Sequence, residues 1–221
     1  GHWTGFSARA RVLIYNRNRI PQEQVPRSVM DLLDERFRGA VCIANPLFGT
    51  TSMHAAALFA VLGEGQATAF FDGFVDNGGV VLSSNGEVRR RVASGEFALG
   101  ITDTDDANVA KLDGAPIGIV YPDASGMGTL IIPNAAVLIH NGPNPDAARR
   151  FIDYLLRPQT EAALAASEAA QIPLRAGVPV PEGMVTIDEI TAMPVDYARL
   201  ASLLERLSSG YLKDWVDRAS R

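Results

Sequence analysis

Apolar positions along the chain fall into short runs separated by polar turns, and the spacing of those runs changes after Pro145. Residues 11–16, Arg-Val-Leu-Ile-Tyr-Asn, form a compact apolar run ending in a turn, which predicts a strand. Pro21 and Pro26 bracket a polar connection, and 29–33 predicts a short helix with Ser28 as its N-cap. Residues 40–44 predict the next strand, closed by Asn45-Pro46. Helical patterns follow over 51–62, ended by Gly63, and over 65–77. A strand at 80–82 leads into a helix over 86–94 that Asn85 is placed to cap. Strand 97–102, helix 107–111, strand 117–121 and a further strand within 130–140 continue the alternation. Strands alternating with helices predict an α/β fold on a largely parallel sheet. Strands buried on both faces should be continuously apolar, as Ile117-Gly118-Ile119-Val120 is.

Beyond Pro145 the pattern is helical: 146–156, 159–167, 195–208 and a last helix after Gly210, with Pro173, Pro179, Pro181 and Pro194 in the connections. Leu200, Leu203, Leu204 and Leu207 recur at helical spacing, yet this third of the chain has no strong strand for them to cover. An exposed apolar helix face is therefore expected there. With it comes self-association, as a homodimer or a domain-exchanged assembly.

Composition narrows the field. Of 221 residues, 47% are hydrophobic, enough to bury a sizeable core and to exclude a disordered chain. Lys and Arg total 20 against 25 Asp and Glu, so no field for nucleic acid is expected. Arg89, Arg90 and Arg91 form the one dense basic run and fit a solvated helix face. No run reaches the length of a membrane span. The opening Gly1-His2-Trp3 carries no leader pattern, as expected of a cytoplasmic protein or of one whose leader has been removed. Cys42 is alone, inside Val41-Cys42-Ile43-Ala44, and fits a small core residue. His2, His54 and His140 offer no spacing that would supply a base to it.

Three polar loops carry the candidate chemistry. Gly49-Thr50-Thr51-Ser52 lies between a strand and a helix, where backbone N–H groups, hydroxyls and the helix dipole together suit an anion; ordinary N-capping by Thr50 or Thr51 is the alternative. It lacks the lysine of a Walker A loop. Ser83-Ser84-Asn85-Gly86 occupies the same kind of position, and Thr102-Asp103-Thr104-Asp105-Asp106 follows the strand over 97–102. In open α/β sheets ligands sit outside the carboxyl ends of the strands, so the three loops point at one rim. Asp103, Asp105 and Asp106 could converge on a hard cation, though the spacing is too short for an EF-hand, and Asp106 could instead cap the next helix. There is no GxSxG elbow, no HExxH and no histidine beside the hydroxyls. A binding protein fits these residues better than an enzyme.

Several stretches resemble, in order, the periplasmic ferric-ion-binding proteins, extracellular solute-binding components of ABC importers. They are 3–16, Ser28-Val29-Met30-Asp31-Leu32, the loop 46–52, Gly95-Glu96-Phe97-Ala98-Leu99-Gly100, and 144–152 beginning Asn-Pro-Asp-Ala-Ala. The resemblance implies a type II periplasmic-binding-protein fold, in which two α/β lobes close over a ligand and present it to a membrane permease. It implies a three-layer αβα second lobe over 8–134, with 1–7 and 135–221 as hinge segments and the helical remainder of a first lobe whose N-terminal part is lacking. It implies no cofactor, a periplasmic or extracellular location, and a ligand that is a small anion or a metal-anion complex. Thr50, Thr51, Ser52, Asn85 and Thr102, with Asp103 and Thr104 beside them, match the anion-holding positions. Family members that bind iron carry two adjacent tyrosines where this chain has Thr104 and Asp105. Asp105 is then the candidate metal ligand, for Fe(III) or another hard cation, with direct binding of an organic anion such as a phosphonate, or ligand sensing, as alternatives.

Overall fold

The computed structural model describes residues 3–219. Residues 1–2 and 220–221, at the ends of the expected hinge and first-lobe segments, lie outside the described residues. One long strand organises the rest: β1 (Thr4–Asn16). It is followed by β2 (Val41–Ala44), α1 (Gly49–Leu62), α2 (Glu64–Asp76), β3 (Val80–Leu82), α3 (Asn85–Ala93), β4 (Leu99–Asp103) and α4 (Thr104–Leu112). Then come β5 (Ile117–Val120), β6 (Ile131–Ala136), α5 (Pro145–Leu155), α6 (Pro158–Ala165), α7 (Tyr197–Ser209) and α8 (Tyr211–Ala219).

The strand order is β3-β2-β4-β1-β5, with β6 on the other half of β1. β2 pairs in parallel with β3 and β4, while β1 is antiparallel to β4, β5 and β6. The sheet is therefore mixed rather than largely parallel: β1 runs against all the others. It also begins seven residues earlier than its apolar run, because 4–10 pair with β6 (Thr4↔Ala136 through Ala10↔Ile131) and hold the charged Arg9 within the strand. Further differences are local. The helix over Val29–Leu33 is a 3-10 helix, with Ser28 and Asp31 forming a capping box. Ser84 caps α3 by accepting from the Glu87 N–H, and Asn85 is the first helical residue.

The pleat of β1 sends Leu13 and Tyr15 to one face and Val12 and Ile14 to the other. Helices α1 and α2 cover the first face; α3 and α4 cover the second, giving three αβα layers. Gly100 lets α3 lie directly on the sheet, since a Cβ there would stand 2.7 Å from Val88 and 2.9 Å from the Cys42 carbonyl. Cys42 is buried between these layers as a core residue, its thiol pKa pushed up by desolvation.

The last two helices are not left uncovered. α7 packs along α1 and α8 against α2, burying Leu200, Leu207, Leu212 and Trp215 in the first core, with Leu203 and Leu204 packed at its edge. Trp215 lies edge-on to Phe71, ring centroids 5.1 Å apart, and donates from Nε1 to the Phe71 carbonyl at 2.9 Å. The expected exposed face, and the self-association inferred from it, are thereby corrected: those leucines meet the sheet-covering helices of the same chain. Exposed large apolar residues lie elsewhere, among them Phe151 and Tyr154 on α5, the segment 137–139, Phe48 and Leu112. Among the described residues no helix is long and apolar enough to cross a membrane.

This packing sets a stability test. Leu200→Ala should cost about 2–5 kcal/mol in urea unfolding, and Phe151→Ala on α5 no more than about 0.5 kcal/mol. Equal, small losses in both would mean that α7 does not belong to this core.

Candidate ligand-binding site

β2, β3 and β4 run the same way, so the loops that leave them open onto one rim, and each loop starts a helix there: α1 at Gly49, α3 at Asn85, α4 at Thr104. The first turn of any helix carries N–H groups without intrahelical partners, and the three dipoles place partial positive charge at this rim. Antiparallel pairing then brings Arg11 of β1 directly opposite Asp103 at the end of β4.

Arg11 is fully buried at the centre of the site. Its Nη1 donates to Asp103 Oδ1 at 2.7 Å, to Thr50 Oγ1 at 3.1 Å and to Asn85 Oδ1 at 3.1 Å, and its Nη2 donates to Thr51 Oγ1 at 3.3 Å. The Thr50 hydroxyl donates to Asp103 Oδ2 at 2.6 Å, and the Asn85 amide donates to Thr50 Oγ1 at 2.8 Å and to Asp103 Oδ2 at 3.0 Å. The Thr51 hydroxyl donates to Asn85 Oδ1 at 3.2 Å. Among the described residues, Arg11 Nε is the single buried side-chain nitrogen or oxygen without a partner.

Thr50, Thr51, Asn85 and Asp103 are thus brought together, as one hydrogen-bonded unit around a guanidinium. The other candidates are placed differently. Thr102 is buried, its hydroxyl 3.3 Å from the Asn85 carbonyl and 3.4 Å from Asp106 Oδ2. Thr104 Oγ1 accepts from the Ala10 N–H, facing β1. Ser52 stays outside the unit and donates to the Gly49 carbonyl. Thr50 and Thr51 lie inside the first turn of α1 and do not cap it. Asp106 does not cap α4 either; Asp103 holds the N-cap position, with its carboxylate turned to Arg11.

Carboxylate oxygens of Asp103, Asp105 and Asp106 lie within 4.8 Å of one another. Two of these groups face arginines: Asp103 pairs with Arg11, and Asp105 with Arg9 Nη1 at 2.8 Å. Burial raises the pKa of Asp105 against the lowering effect of Arg9, and burial with the neighbouring carboxylates raises that of Asp106. Burial, with the Arg11 charge adding to it, pushes His54 on α1 down to about 3.

Arg9 and Arg11 are the site residues that the loop motifs did not point to. Their signal is an Arg-x-Arg pair within an otherwise buried strand: alternate positions share one face, and a buried charge demands partners.

The signature of the family "Bacterial extracellular solute-binding protein" matches residues 1–199. The chain belongs to this family. Its extracellular or periplasmic placement follows from that membership. Among curated relatives it is similar to Iron uptake protein A1 of Synechocystis, 26% identical over 213 residues that cover 92% of this chain and 59% of the relative. The Fe(3+)-binding periplasmic protein of Serratia marcescens is 22% identical over 209 residues, 91% of this chain and 60% of the relative. Among solved structures, iron-bound HitA from Pseudomonas aeruginosa superposes with a TM-score of 0.82 at 24% identity, covering 97% of this chain and 69% of that one. The periplasmic binding protein AfuA from Actinobacillus pleuropneumoniae, with exogenous fructose-6-phosphate bound, gives 0.81 at 21% identity, covering 100% and 69%. The type II periplasmic-binding-protein fold is shared with these structures, and the chain spans about three-fifths of the length of the curated relatives it matches.

Two measurements follow. Arg11→Met leaves Asp103 buried without its cation and should destabilise the protein by about 3–5 kcal/mol in chemical denaturation. His54, kept neutral in the folded state, contributes stability above the unfolded histidine pKa of about 6.5 that is lost as pH falls towards 3. His54→Gln should flatten this acid limb, whose slope for one site reaches about 1.4 kcal/mol per pH unit, in urea unfolding between pH 4 and 7.

Proposed function

We propose that this chain supplies one lobe of the substrate-binding component of an ABC importer. The lobe would comprise 8–134 with α7 and α8 packed onto it, and it would hold a small anion, free or accompanying a metal, for delivery to a membrane permease. The observation that carries this reading is the convergence of three helix N-termini, those of α1, α3 and α4, on one rim whose side chains are already fixed by Arg11. Fixed side chains and outward N–H groups form a preorganised donor surface, which suits oxyanions such as phosphate or carboxylate.

The metal half of the reading has less support in the side chains. By the sequence resemblance Thr104 and Asp105 take the place of the paired tyrosines of iron-binding family members, and Asp105 is paired with Arg9. The solved AfuA structure bears the phosphate ester fructose-6-phosphate, and HitA bears iron, so the fold itself accommodates both ligand classes. Binding fits the rim better than catalysis: the Thr50 hydroxyl donates to the Asp103 carboxylate, but that carboxylate is paired with Arg11, and the Thr50 and Thr51 oxygens both accept from the same guanidinium.

Backbone amide shifts measured by NMR during titration with phosphate, citrate and Fe(III)-citrate test the reading. Saturable shifts should cluster at Gly49–Ser52, Asn85–Gly86 and Thr104–Asp105, with phosphate or citrate alone sufficient. No saturable shift at any of the three helix starts, with any of the three titrants, would overturn it.

A further inference from the structure

The carboxylates of Asp103, Asp105 and Asp106 have the chemistry of a hard-cation site, but the side chains facing them do not leave it open. β1 places Arg11 and Arg9 on one face of the strand, two residues apart, so that one guanidinium enters the site and the next stands at its mouth. Arg11 takes Asp103. Arg9, with 28% of its side chain exposed, sets Nη1 2.8 Å from Asp105 and 4.0 Å from Asp103. Its other nitrogen, Nη2, donates to Asn134 Oδ1 at 3.3 Å. The Asn134 amide donates in turn to Ser7 Oγ at 2.8 Å and to Gln171 Oε1. Arg9 is therefore held from behind by Asn134 of β6, which is itself fixed by the start of β1 and the segment after α6. Asp106 keeps the Thr102 hydroxyl as neighbour and feels Arg89 across the rim.

We propose that Arg9 is the residue that sets the charge class of the ligand: tethered by Asn134, it neutralises Asp105, keeps hard cations off the three carboxylates and leaves the rim a donor surface for anions. This deepens the anion-binding reading and rests on it for the natural ligand. The arrangement has a clear electrostatic logic. Three carboxylates within 4.8 Å repel one another and attract a cation; Arg11 and Arg9 offset two of the three charges, and Asp106, which carries the third, lies under the influence of Arg89. Removing Arg9 exposes the cluster; removing Asn134 leaves the cation in place but untethers it.

The test uses terbium(III) as the hard-cation probe, with affinity measured by calorimetry on the 221-residue chain and on variants checked by circular dichroism. Arg9→Met should bind terbium at least about tenfold more tightly than the starting protein. Arg9→Lys, which keeps the charge, should stay near the starting affinity. The double variant Arg9→Met/Asp105→Asn should lose the gain. If Arg9→Met fails to fold, Arg9→Gln removes the charge while keeping a donor for Asn134, and the same tenfold gain is expected. Equal terbium affinity in the starting protein and the charge-removing variant overturns the proposal, as does a gain that survives Asp105→Asn. Absence of phosphate binding in the starting protein would count against the anion reading and leave the terbium comparison intact.

Discussion

A guanidinium buried without any exposure is the constraint on which the rest of the site depends. Removing an arginine from water is costly, and a single carboxylate rarely offsets it; hydrogen bonds to the remaining donors are needed as well. Arg11 obtains them from Asp103, Thr50, Thr51 and Asn85, which come from three different strand-to-helix loops. To satisfy one side chain, α1, α3 and α4 must all begin within reach of the same point. The convergence of helix N-termini is thus tied to a demand of β1, a strand that lies between the other elements and runs against them.

This changes the meaning of the polar residues on the rim. Thr50, Thr51 and Asn85 look like ligand contacts when considered as loops. In the folded chain they bond to Arg11, to Asp103 and to one another, and the rim groups outside that network include the backbone N–H groups of the first helical turns and the partly exposed Arg9–Asp105 pair. Under the proposed anion-binding role, a donor surface of this kind would lose little on binding, because its side chains are ordered beforehand. The internal Arg11–Asp103 pair is neutral in itself, so the charge that the rim presents rests on Arg9, Asp105, Asp106 and the helix dipoles.

Much of the architecture was legible in the sequence. The strands at 41–44 and 80–82, the helices that follow them and the shared rim of three polar loops all follow from apolar runs and turn residues. Other features were hidden for physical reasons. The first half of β1 does not show in the hydrophobic pattern because Arg9 and the small residues around it break the apolar run, although pairing with β6 needs only backbone groups. The direction of β1 is not legible because an apolar run says nothing about whether its partners are parallel. The amphipathic leucines of α7 show an apolar face but not the surface that covers it, which is why that face was expected to be exposed. That surface is α1 of the same chain, with α8 and Trp215 closing the adjacent side. The central role of Arg11 is hidden in the sequence because most arginines lie at the surface and nothing local marks this one as buried.

A double-mutant cycle between Arg11 and Asp103, measured by urea unfolding at pH 7, tests this dependence most directly. If the pair is the organising interaction, Arg11→Met and Asp103→Asn together should be less destabilising than the sum of the two single changes by at least about 2 kcal/mol, since each single change strands the other group. Additivity within about 0.5 kcal/mol would show that the two groups do not depend on each other, and would contradict the account.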